Sequence, residues 1–175
     1  YVLLLLLAAI PLQSIDFLFG GVSELELVLS FVILTVTAIA LGTVGIFFSA
    51  LAPRTLSASV RAYTAALVTT FGAPLVLGIA IDLVTVPIRT ASPVIEAILI
   101  YIDDFLVSLN PIATALTTQQ LLIDRQVVGF WSDTLASSGS TIPRVSPWIT
   151  FTIIYLVVST VLVVLSIQRM RKTEM

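Results

Sequence analysis

The side chains here that could handle a proton or an ion are carboxylates. Asp103 and Asp104 stand side by side, and Asp16 and Asp82 sit singly near the ends of apolar runs. A paired acid can ligate a metal or divide acid and base roles. On a helix, however, neighbours point about 100° apart. Asp103 and Asp104 therefore do not converge on one ion, and a solvated face is the stronger expectation. A lone carboxylate within a membrane helix suggests an ion path. Asp16 and Asp82 lie at helix ends, where a polar side chain simply meets water, and no acid lies mid-span, which disfavours an ion channel.

Most other catalytic chemistry is missing. The chain has no Cys and no His. That removes thiolate metal sites, disulfides, His-ligated haem and the commonest general base. No Ser-His-Asp or Cys-His set can form. There is no Gly-x-x-x-x-Gly-Lys-Ser/Thr loop, so no nucleotide hydrolysis is expected of this chain. We expect no enzyme activity, no cofactor and no metal. The formal charge is −2 with no basic tract, so nucleic acid is not an expected partner.

The elements that carry these residues are apolar. Of 175 residues, 58% are hydrophobic and 10% charged, against about 25% charged in a soluble domain. Mean hydropathy is +1.15. The expected fold is all-α: one polytopic membrane domain with four transmembrane helices over about 1–19, 24–51, 56–83 and 148–168. Residues 84–147 form an external region of short helices, open to a re-entrant path.

The turn Ser49 to Arg61, SALAPRTLSASVR, orients the whole. It joins two long apolar runs, each longer than the roughly 20 residues that cross a bilayer. The first run carries its only charges, Glu24 and Glu26, in its first turn; the second carries Arg61 and Asp82. Arg54 and Arg61 flank the link, which the positive-inside rule puts in the cytoplasm. Arg61 fits equally a headgroup anchor and a salt bridge to another protein. Thr55 or Ser57 can cap the following helix, and Pro74 is expected to bend it.

Gly20-Gly21 breaks the first helix, and Pro11 can kink it. Ser23 with Glu26 three residues on fits a capping box for the second. In that helix Ala38, Gly42, Gly45 and Ser49 recur at spacings of four, three and four, so they share a face. Small residues at this spacing let another helix approach closely in lipid; the alternative is that Gly and Ala are common in membrane helices.

Residues 84–147 hold five of the eight prolines and five of the ten acids. Pro93 to Leu109 is apolar but interrupted by Glu96 and Asp103-Asp104. Asn110-Pro111 ends it, Ile112 to Ile123 can form a second short helix, and Ser137 to Thr141 is a loop. Ser146-Pro147-Trp148 starts the last helix, with Ser as cap, Pro at the first position and Trp148 as an interface anchor. Arg169, Arg171 and Lys172 close it on the cytoplasmic side. Both basic clusters then share a compartment, with the C-terminus cytoplasmic and the protein multi-pass in the cell membrane. The chain opens within an apolar run, YVLLLLLAAI, with no charged segment ahead of it, and reads as the C-terminal part of a longer protein. A processed small subunit is the alternative.

Several segments resemble the permease subunits of exporter-type ABC transporters. These are Pro11 with Phe19-Gly-Gly-Val-Ser23, then Leu41-Gly-Thr-Val-Gly-Ile-Phe-Phe-Ser-Ala-Leu51 and Arg54-Thr55 with Ala58 and Tyr63. Asn110-Pro111-Ile-Ala113 and the ending Arg169-Met-Arg-Lys172 are similar to the family's last third. The resemblance implies six membrane helices, a coupling helix between the second and third, and short re-entrant helices before the last. This chain would hold part of helix three and then helices four to six. The implied mechanism is alternating access. The implied partners are an ATP-binding subunit, a second permease copy or homologue, and membrane lipid. The competing reading is a non-catalytic accessory or structural subunit of a larger membrane complex, a bioenergetic one included.

Overall fold

The computed structural model describes residues 2–21, 23–52, 54–72 and 92–173. Asp82, Pro74 and the far end of the expected span 56–83 lie outside the described residues, as do the side chains of Asp16 and Lys172. The chain forms two compact units, Tyr1–Leu67 with Thr152–Met175, and Val68–Phe151.

The first unit contains α1 (Val2–Leu18), α2 (Glu24–Leu51) and α3 (Thr55–Leu67). Pro11 lies inside α1. Gly20 adopts φ +72° after it, a conformation that favours glycine. The capping box forms as expected. The Ser23 hydroxyl accepts from the Glu26 amide at 3.2 Å and donates to its carboxylate at 2.9 Å. At the next link the cap is not Thr55 or Ser57. Thr55 is already helical, and the Ala58 amide donates to Arg54 O at 3.1 Å, which puts Arg54 in the capping position. Beyond Leu67 the chain widens into a π-helical turn, Val68–Gly72.

The buried face of α2 is Leu29, Ile33, Val36 and Ala40. Each member of the small-residue stripe stands nine positions after one of these, about two and a half turns along. Ala38, Gly42, Gly45 and Ser49 therefore occupy the opposite side of the helix. A helix apolar all round gives no periodic signal for which stripe is buried within the chain.

The second unit contains α4 (Pro93–Val107), α5 (Pro111–Arg125), and an antiparallel hairpin of β1 (Phe130–Thr134) and β2 (Thr141–Val145). The first turn of α6 (Pro147–Thr173) belongs to it as well. Helices α4 and α5 bend by 116°. Asn110-Pro111 causes the bend, as expected. Asn110 is extended (φ −117°, ψ 119°) and its side chain accepts from the Ile112 amide at 2.9 Å. The Thr114 hydroxyl closes the elbow on Val107 O at 2.9 Å.

The hairpin departs from the all-α expectation. Phe130 pairs with Val145 and Thr134 with Thr141, and burial alternates along both strands. Pro143 is tolerated because a two-stranded ribbon consists of edges. The loop expected at 137–141 is its turn, with Gly139 at φ +69° and the Leu135 amide donating to Ser140 O at 2.9 Å.

Helix α6 begins at Pro147 as expected, but the buried Ser146 hydroxyl makes no capping bond. Phe151, Ser159 and Ser166 are its buried stripe, and valine, leucine and isoleucine are exposed on its other sides. Among the described residues, Glu24–Leu51 and Pro147–Arg171 are long and apolar enough to cross a membrane, with the bent pair a third if taken as one path. These helices account for part of the expected four spans, and the rest of the span expected at 56–83, beyond Gly72, lies outside the described residues. Helix α1 has 17 residues, and α3 has 13 and runs on into the π-helical turn that ends at Gly72.

Candidate functional site

The densest polar chemistry lies in the second unit, around Arg144. Its position in β2 turns it inward beside Trp131 of β1. The guanidinium donates through Nε to Asp104 Oδ2 at 3.0 Å and through a terminal nitrogen to Asp104 Oδ1. Its other terminal nitrogen reaches Asp133 Oδ2 at 3.0 Å. The Trp131 ring lies 5.1 Å from the guanidinium carbon. Asp133 also accepts from Arg125 at 3.4 Å. The side chains of Arg144, Asp104 and Asp133 are 20%, 19% and 28% exposed, and Arg125 is 45% exposed. The result is an alternating chain, Asp104–Arg144–Asp133–Arg125, with no net charge.

Arginine suits this position because its planar fork presents five donors and stacks on an aromatic face. Burial raises the Asp133 pKa, but the Arg144 hydrogen bond, the Arg125 charge and hydrogen bond, and the Thr134 amide outweigh it, holding the carboxyl below its usual range. Burial lowers the Arg144 pKa, and the bonds and charges of Asp104 and Asp133 more than reverse this.

A second attachment lies toward the hairpin tip. Glu96 is only 8% exposed. Its carboxylate accepts from the amides of Ala136 and Ser137 at 2.9 and 3.1 Å, and from the Ser137 hydroxyl. Between the two carboxylates, the Tyr101 hydroxyl donates to Pro143 O at 2.9 Å. The arrangement holds protein against protein. Among the described residues no three acidic side chains converge as metal ligands, and the meeting point of Asp104 and Asp133 is filled by a guanidinium.

This corrects the reading of Asp103-Asp104 as a solvated face. Asp104 is ion-paired and four-fifths buried, and Asp103 is half-buried. Glu96, Tyr101, Asp133 and Arg144 had no local signal, because their partners lie 40 or so positions away or across a hairpin.

The residues singled out from sequence fall elsewhere. Gly42 is exposed and Ala38 and Gly45 are half-buried, and a Cβ on either glycine would meet nothing within 4 Å. Gly45 and the exposed Ser49 line a groove of about 480 Å³ with Ala58, Ala62, Tyr63 and Ala66 of α3. Arg54 and Arg61 are exposed at and just after the α2–α3 link. Trp148, expected as an interface anchor, is half-buried, and its indole N–H donates to Val128 O at 2.7 Å. Arg169 and Arg171 are exposed in the last turns of α6. No family model, curated protein or solved structure matches the chain.

Proposed function

We propose that the chain is a membrane-spanning permease subunit of an exporter-type ABC system. In this reading its helices line part of the translocation path, and a separate ATP-binding subunit drives alternating access. The supporting observation is the bent pair α4–α5, which precedes the final apolar helix. It falls where the resemblance expects short re-entrant helices. The exposed apolar surfaces of α2 and α6 suit lipid. Arg54, Arg61, Arg169 and Arg171, with Lys172, then mark the cytoplasmic ends. The Ala38–Ser49 stripe is a helix-packing face: Gly45 and Ser49 border the groove with α3, and the exposed Gly42 is open to a second permease copy or homologue.

The test is cross-linking from Cys at position 54 of the full protein, purified with its associated subunits. An adduct with an ATP-binding subunit is expected, its yield changing with nucleotide. Failure to form it under any nucleotide condition counts against export. Recovery with an electron-transfer complex would favour the accessory-subunit reading.

A further inference from the structure

Three attachments run along α4 to the hairpin. Glu96 holds the turn, Tyr101 holds Pro143, and Asp104 holds Arg144. Glu96 and Asp104 are eight residues apart, about 12 Å of helix. The hairpin is therefore tied to α4 near both its tip and its base. At the base, Arg144 also grips Asp133, which takes Arg125 at the end of α5. One guanidinium thus links both arms of the bent pair through the hairpin.

The same base leads straight into α6. Only Ser146 separates β2 from Pro147. The Ser146 amide donates to Gly129 O at 2.8 Å. The Ser108 hydroxyl, at the elbow, lies 2.8 Å from Asp104 O and 3.5 Å from Pro147 O. The Trp148 indole is tied to Val128 O on the approach to β1. The elbow, the hairpin and the first turn of α6 therefore share a continuous set of bonds.

We propose that Arg144 is the latch that holds the second unit together. It ties both arms of the bent pair to the hairpin, and the Ser146, Trp148 and Ser108 bonds carry that tie on to the first turn of α6, so that loss of the latch loosens all of them together. The latch needs the guanidinium fork as well as its charge, because two carboxylates and an indole ring are engaged together. The inference stands on these contacts and does not need the export reading.

The test is amide hydrogen exchange on the full protein in lipid nanodiscs, comparing wild type with R144Q, R144K and D104N. Release of the latch should speed exchange about tenfold or more at the Ala136 and Ser137 amides and at the Ser146 amide together. R144K should not rescue, since a lysine cannot hold both carboxylates and the ring. D104N keeps the arginine and should give the same pattern to a smaller extent, which also answers the question if R144Q fails to fold. Loosening confined to residues 142–146, an unchanged Ser146 amide, or wild-type exchange in R144K would overturn the proposal.

Discussion

Replacing Glu96 with Gln probes the hairpin attachment with almost no change of volume. The native carboxylate is 8% exposed and accepts three hydrogen bonds, two from backbone amides and one from the Ser137 hydroxyl. An amide keeps one acceptor oxygen and turns an NH₂ toward the remaining donors. If the oxygen stays on Ala136, the Ser137 amide loses its acceptor and faces the NH₂ donor to donor, the Ser137 hydroxyl must turn to accept from the NH₂, and no bond keeps its charge assistance. A hydrogen bond to a charged group contributes about 1.5–3 kcal/mol. Relief from burying a charge offsets part of the loss, leaving a cost of about 2–3 kcal/mol. This should appear locally, as roughly 30- to 150-fold faster amide exchange at residues 135–140. Exchange in α2 should not change, because that helix lies in the other unit. Exchange by mass spectrometry in nanodiscs reads both regions at once. A change below about twofold at the turn would refute the reasoning, since no account of a buried, triply bonded carboxylate permits so small a cost.

Two further predictions concern the ion chain and the small-residue stripe. The folded pKa of Asp133 is depressed, so its ion pairs contribute stability above the unfolded value of about 3.9 and lose it as pH falls through the folded value. D133N should weaken the hairpin at neutral pH and flatten the acid dependence of its exchange below about pH 4; an unchanged acid profile would remove the ion pair from the account. Gly42 faces open space, with nothing within 4 Å of a Cβ, so G42L should leave the melting temperature of a single chain within about 2 °C. If the stripe packs on a second copy, the same change should reduce cross-linking between copies severalfold.

What was legible in the sequence was local. The Ser23–Glu26 capping box, the Asn110-Pro111 break and the Pro147 start each depend on residues within a turn of one another, and each forms where expected. Helix bounds followed from the same signals. The hairpin was missed because each strand is five residues long and one contains Pro143, which lowers strand propensity. The Arg144 centre was missed because Asp104 is 40 positions away; only tertiary folding brings them together. The partner of the Trp148 N–H, Val128 O, is 20 positions away and likewise had no local signal. Of the expected spans, 24–51 and the last helix are long, apolar helices among the described residues, and the far end of 56–83 lies outside them.

The proposed reading requires a lipid-embedded chain in which Arg54 and Arg171 are cytoplasmic and the hairpin turn is external. The absence of native Cys makes single-thiol labelling a direct measurement of it. A membrane-impermeant maleimide applied to intact cells should label S138C at the hairpin turn, and should label R54C and R171C only after the cells are opened. Labelling of R54C and R171C from outside, or protection of S138C until lysis, would contradict the account.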